Sequence, residues 1–164
     1  NRNIFFIPDK NLAHFVAEQV PEKHFIFNDG YCPVHEQIQT EQIRAAKAAH
    51  PDAEVLSHPE CSRAVLELSD YVGSTSGIIR YAGESEAAEF IICTENGVRA
   101  ELEKRYPGKK FYFTEAEPVC EDMKLVTPDK ILRVLRTGEN EVVMDEKLRE
   151  ESRQPLEEML RLAK

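Results

Sequence analysis

Short apolar runs alternate along the chain with stretches of helical periodicity, and turn residues separate the two. Ile4-Phe5-Phe6-Ile7 predicts a buried strand, closed by Pro8-Asp9. Leu12, Phe15, Val16 and Val20 then recur at helical intervals, with Asn11 as the expected cap and Pro21 as the stop. His24–Phe27 predicts the next strand, and residues 37–50 a helix with Ile38, Ile43, Ala45, Ala46 and Ala49, ending before Pro51. Glu54–Ser57 predicts a short strand, residues 62–69 a helix, and Tyr71-Val72 another short strand. Gly73-Ser74-Thr75-Ser76-Gly77 leads into a helical Ile78-Ile79-Arg80-Tyr81, and Glu89–Cys93 is the clearest buried strand. A helix over 97–106 and a strand over 110–114 follow, then a loop through Pro118 and Cys120 to a short Leu125-Val126. Thr127-Pro128 opens a helix over Pro128–Thr137. A strand over 141–144 and a charged helix over 145–164, with Pro155 inside it, complete the pattern.

Strand and helix take turns with connections that do not suit an all-β fold. The expected class is α/β, with αβα layers and parallel sheets. At 164 residues the chain can bury a core, as one domain or two small ones. A net charge of −9 argues against a nucleic-acid surface, which needs Lys and Arg to neutralise phosphates. No apolar run reaches the roughly 18–20 residues that span a bilayer, and no export signal opens the sequence. The expectation is a cytoplasmic protein with reduced thiols. Asn1-Arg2-Asn3 lacks an initiator Met and runs at once into the first apolar strand, which predicts a chain cut from something longer.

The candidate chemistry gathers where predicted strands give way to helices. Asn28-Asp29-Gly30-Tyr31-Cys32-Pro33-Val34-His35-Glu36 places a thiol, an imidazole and carboxylates at one such edge, where open α/β sheets hold their ligands. Pro33 restricts Cys32 to an extended or turn conformation, and Gly30 permits a close approach. Ser57-His58-Pro59-Glu60-Cys61 repeats the arrangement, with His58 and Glu60 held across a proline as a candidate proton-transfer pair. The alternative for that pair is a surface imidazole beside a carboxylate favoured by a helix N-terminus. His14, His24 and His50 fall in scaffold patterns.

The four cysteines follow one another at 29, 32 and 27 residues, about one βα unit each, and no Cys-x-x-Cys pair occurs. That spacing excludes a zinc ribbon or a thioredoxin motif. Thiolates select iron–sulfur clusters or zinc, whereas a buried thiol is simply a small apolar group. Cys93 reads as core, Cys61 sits at a helix start, and Cys32 and Cys120 lie in polar loops that suit ligands. Ser74 and Thr75 stand where backbone N–H groups and hydroxyls make an anion site, without the lysine of a P-loop.

Taken in order, six stretches carry a resemblance. They are Ile7-Pro8-Asp9-Lys10-Asn11-Leu12, Gly30-Tyr31-Cys32-Pro33-Val34-His35-Glu36, His58-Pro59-Glu60-Cys61, Gly73-Ser74-Thr75-Ser76, Thr94-Glu95-Asn96-Gly97 and Cys120-Glu121-Asp122-Met123-Lys124. Together they resemble the C-terminal half of quinolinate synthase, from Ile4 to about Leu135. The resemblance implies a pseudo-threefold arrangement of three α/β/α domains around a [4Fe–4S] cluster. On that reading residues 1–31 complete the second domain, 32–121 form the third, 122–164 are a C-terminal extension, and the first domain is absent. Cys32 would be the cluster ligand of the second domain and Cys120 that of the third, with the third thiolate coming from the first domain. Cys61 and Cys93 match no ligand position.

The reaction so implied condenses iminoaspartate with dihydroxyacetone phosphate to quinolinate, a transferase step toward NAD, with one open iron as Lewis acid. His35, His58 and Glu60 would be catalytic, and Ser74 and Thr75 would hold the phosphate or a carboxylate. The enzyme supplying iminoaspartate is the macromolecular partner this reading suggests. Two rival classes stay open on the residues alone. One is a non-catalytic α/β module holding metal or an iron–sulfur cluster through all four cysteines. The other is a scaffold domain that binds a partner through its acidic C-terminal helix.

Overall fold

The computed structural model describes residues 2–163. It is an α/β structure, with strands and helices alternating and every paired strand parallel to its neighbour. The elements form two compact units, one up to Cys120 and one from Glu121 onward.

The first unit contains two parallel sheets. Strands β1 (Asn3–Phe6) and β2 (His24–Phe27) pair in register Asn3 to His24 through Phe6 to Phe27, joined by helix α1 (Lys10–Gln19). The larger sheet has the order β4-β3-β5-β6, from β3 (Glu54–Ser57), β4 (Tyr71–Val72), β5 (Glu89–Cys93) and β6 (Lys110–Phe113). Alternate residues of the central strands face opposite layers. Val55, Ile91 and Cys93 pack with Ile38, Ile43 and Val65, contributed by the segment through α3 (Thr40–Ala49) and by α4 (Arg63–Leu66). Leu56, Phe90 and Ile92 pack on the other face against α5 (Thr75–Glu84) and α6 (Val98–Arg105), through Ile78, Ala82, Val98 and Leu102. Burial on both faces explains why β5 reads as an unbroken apolar run.

Chain order and spatial order diverge at β3 and β5. From β3 the chain crosses outward to β4, and from β5 it crosses the opposite way to β6. The carboxyl ends of these two adjacent strands therefore flank a topological switch point, where loops part and leave a crevice.

Several predicted elements differ from those observed. Residues 4–7 are less buried than a core strand, with Phe5 66% exposed, because only β2 pairs with β1 among the described residues. Asp9, not Asn11, caps α1, its Oδ1 accepting the Leu12 N–H at 2.7 Å. The helix expected over 37–50 is split. Pro33 opens a separate turn, α2 (Pro33–Glu36), and Gln42 Oε1 accepts the Gln39 N–H at 2.9 Å where α3 begins.

In the second unit, α7 (Glu121–Lys124) is followed by a turn at Leu125 in place of a strand. Helix α8 (Pro128–Thr137) is capped by Thr127 and stopped by left-handed Gly138. Residues 141–144 are irregular, with Val142 and Val143 each 85% exposed: β-branched residues without a neighbouring strand gain nothing from extension. Helix α9 (Glu146–Leu162) runs through Pro155, its N-cap Asp145 accepting from Leu148 N–H. Among the described residues no helix is long and apolar enough to cross a membrane.

Candidate active site

The loops leaving β2, β3 and β5 converge. Gly30 makes the first approach possible: a Cβ there would collide with the Pro8 carbonyl oxygen and lie 2.6 Å from Asn28 Nδ2. With no side chain, the Gly30 carbonyl accepts the Lys10 N–H at 2.8 Å, while Asn28 Nδ2 donates to the Pro8 carbonyl at 2.8 Å. This brings Cys32 beside Asp9, whose Oδ2 accepts the Cys32 backbone N–H at 2.8 Å. Asp9 is buried and thus joins the start of α1 to the cysteine preceding α2.

His35 projects inward from α2. Its Nε2 lies 3.0 Å from Thr94 Oγ1, at the end of β5, and its Nδ1 lies 3.0 Å from Glu60 Oε2. That second separation is short, yet the buried Nδ1 has no hydrogen-bond partner. His58 follows β3 directly, its N–H donating to the Cys93 carbonyl at 3.1 Å across the switch point. Its ring stacks on His35 with centroids 4.5 Å apart, and its Nδ1 is 3.7 Å from the same Glu60 oxygen. Asn11, freed from capping, donates through Nδ2 to the Glu60 carbonyl at 3.0 Å and to Glu36 Oε2 at 2.9 Å.

Burial sets the protonation of this cluster. It holds both imidazoles below the usual histidine range. At His35 the fields of Asp9 and Glu95 partly oppose burial, and at His58 the neighbouring His35 lowers it further while Glu60 and Asp9 oppose. Burial also holds the Cys32 thiol above its usual range, outweighing the N–H groups of His35 and Val34, and Glu60 adds to the rise.

Cys120 reaches the region from the other side. Its N–H donates to Glu95 Oε1 at 3.3 Å, while Glu95 Oε2 accepts the Gly97 N–H at 2.7 Å. Asn96 N–H donates to the Pro118 carbonyl at 2.8 Å, and Arg99 and Asn96 both bind Glu117, fixing the loop before Cys120. Each half-buried cysteine is thus anchored through its backbone by a buried carboxylate, Asp9 for Cys32 and Glu95 for Cys120. Neither carboxylate was singled out as a site residue from sequence, where each looks like an ordinary polar residue after a strand.

The other two thiols are different. Cys61 and Cys93 are fully buried in the apolar layer, with Cys61 Sγ donating to the Cys93 carbonyl at 3.4 Å. Burial pushes both thiols up, that of Cys93 to about 12. A site built from all four cysteines would require unpacking this layer.

Ser74 and Thr75 lie at the carboxyl end of β4, exposed, with Ser74 Oγ capping α5 by accepting the Gly77 N–H at 3.1 Å. The Gly73 N–H donates to the Ser57 carbonyl at 3.1 Å, so this loop borders the end of β3. A cleft of about 440 Å³ is lined by α1 and the α4 region through residues including Asn11, Phe15, Cys61, Arg63, Leu66 and Val72. His14, Glu18 and Glu67 also line it, with Arg63 paired to both glutamates, whereas the stacked histidines and Glu60 meet beside Cys32 at the sheet edge, which makes that edge the candidate site.

The family model described as Quinolinate synthetase A protein matches residues 1–161. The chain belongs to the quinolinate synthase family. It is 46% identical over 163 residues to the quinolinate synthase of Clostridioides difficile (strain 630), covering 99% of this chain and 54% of that protein. The quinolinate synthase of Caldicellulosiruptor saccharolyticus is 45% identical over 163 residues, with the same coverage. That of Aquifex aeolicus (strain VF5) is 40% identical over 167 residues, covering 99% of this chain and 52% of that protein. The chain spans about half the length of these curated relatives.

Quinolinate synthases imply a [4Fe–4S] cofactor, and the donor chemistry at this sheet edge fits one. Cys32 and Cys120 are free, partly accessible and held by their backbones, with a buried unpartnered ring nitrogen nearby.

Proposed function

We propose that this chain contributes the Cys32–Cys120 side of a quinolinate synthase active site, which condenses iminoaspartate with dihydroxyacetone phosphate. Support comes chiefly from one observation: His35, His58 and Glu60 meet beside Cys32 at the switch point of a chain in this family. Cys32 and Cys120 would hold the [4Fe–4S] cluster, with the third thiolate supplied from the part of the relatives that this chain does not span. When bound, the cluster supplies a Lewis-acidic iron for carboxylate, hydroxyl or amine groups of the substrate.

The chain's own residues supply positioning and proton transfer. Glu60, between two imidazoles kept neutral by burial, can accept a proton from substrate carbon and return it to a departing hydroxyl. Thr94 fixes the orientation of the His35 ring, and Pro59 fixes the direction of Glu60 relative to His58. Ser74 and Thr75, at the N-terminus of a ten-residue helix, present hydroxyls and N–H groups to a phosphate dianion. In this reading 1–31 completes one α/β domain, 32–121 forms another and 122–164 is an extension.

The test combines the chain with a segment matching the remaining part of its relatives, under anaerobic reconstitution. Glu60→Gln should lower quinolinate formation by about 10²-fold or more while leaving the cluster absorbance in place. Cys32→Ser and Cys120→Ser should each remove that absorbance, and Cys93→Ser should not. Normal turnover in Glu60→Gln, or cluster loss from Cys93→Ser equal to that from Cys32→Ser, would refute the assignment.

A further inference from the structure

Cys32, His35 and Glu60 each offer a ligand atom, and the three atoms lie within 4.8 Å of one another. Thiolate, imidazole and carboxylate together form a donor set for zinc-class divalent ions, and bonds of about 2.0–2.3 Å place tetrahedral ligands roughly 3.3–3.8 Å apart. Closure around an ion needs side-chain shifts on the order of 1 Å. One carboxylate and one thiolate would balance a divalent charge at a site where His35 is buried and Cys32 and Glu60 are half-buried.

The unpartnered nitrogen is the independent sign. His35 is only 7% exposed, and its Nδ1 has no hydrogen-bond partner although Glu60 Oε2 is 3.0 Å away. The other ring nitrogen, Nε2, is held by Thr94 Oγ1 at 3.0 Å. A metal-ligating imidazole is fixed in this way, its far N–H given to an oxygen and its near lone pair turned to the ion.

We propose that, in the absence of a cluster, Cys32, His35 and Glu60 form a mononuclear site for a zinc-class divalent cation, with water as the fourth ligand. Binding displaces the Cys32 thiol proton to solvent and involves no change of oxidation state. Cys32 would serve both this site and the cluster, so the two cannot be filled together. Cys120 would serve only the cluster. A divalent ion at this position therefore blocks cluster assembly, and its removal must come first.

Anaerobic titration of the chain with Co²⁺, followed by Zn²⁺ competition, tests the site. The expected result is one equivalent bound, with a near-ultraviolet thiolate-to-cobalt band that Zn²⁺ abolishes. Cys32→Ser should remove the band, and His35→Ala should weaken binding by at least tenfold, with far-ultraviolet circular dichroism confirming the fold. Cys120→Ser should bind as the unaltered chain does. Failure to bind one equivalent, unchanged affinity in His35→Ala, or loss in Cys120→Ser would overturn the proposal. Because cluster formation needs Cys120 and this site does not, the failure of one reading leaves the other distinguishable.

Discussion

Asp9 shows how much one side chain can carry. It is 3% exposed, caps α1 through one oxygen and holds the Cys32 N–H through the other. Removing a helix cap costs about 0.5–2 kcal/mol, and an unpaired buried N–H about 1–3 kcal/mol. Asp9→Ala should therefore lower the unfolding free energy by roughly 2 kcal/mol or more, read from the urea midpoint at unchanged m-value. A shift no larger than that of an exposed control would mean that the bond to Cys32 contributes nothing. The stacked histidines predict a pH effect at the same scale. Burial depresses both pKa values below the ordinary 6.5, so the unfolded chain binds more protons in the window just beneath it. Stability should be complete above that pH and decline as pH falls through the depressed values. Denaturation across pH 5 to 8 should show that decline, and replacing both histidines should flatten it.

At the level of elements, legibility followed burial. Strands β3 and β5 were readable because both faces are covered, and the helices of the larger sheet could be located from their apolar spacing. Residues 141–144 misled because Val142 and Val143 have strand character with no strand to pair with. The cap of α1 was misplaced by two residues for a different reason. Asn11 has the right chemistry for a cap, but contacts with Glu36 and Glu60, 25 and 49 residues away in sequence, decide its place. The carboxylate anchors are also long-range and have no local pattern. His35, His58 and Glu60 could be found because each adjoins a predicted strand end, while their shared geometry needed the sheet order. Helix α5 gives a test of this scale. Ser74→Ala removes its cap and should cost about 1 kcal/mol. Thr75→Ala, exposed at the first turn, should barely change stability. In the reconstituted enzyme it should raise the apparent KM for dihydroxyacetone phosphate well above any change for iminoaspartate. Equal changes in both KM values would remove the phosphate role.

For the molecule as a whole, the core of the four-stranded sheet sets stability. Ile92 is fully buried between β5 and its covering helices, so Ile92→Ala should cost about 2–5 kcal/mol. Val142→Ser, at an exposed position, should stay within about 0.5 kcal/mol. Thermal or urea unfolding of both variants would show whether stability is concentrated in that layer. The paired anchors also join the candidate ligands to sheets of unequal protection. Cys32 is tied through Asp9 to the small β1–β2 layer, where Phe5 is 66% exposed, whereas Glu95 extends from β5, whose Phe90, Ile91 and Ile92 are sealed. Local opening should begin in the small layer. In native-state hydrogen exchange the Cys32 amide should therefore follow the amides of β2 and exchange before those of β5. The two thiols would be released by separate openings, and the chain could loosen its hold on one while keeping the other in place.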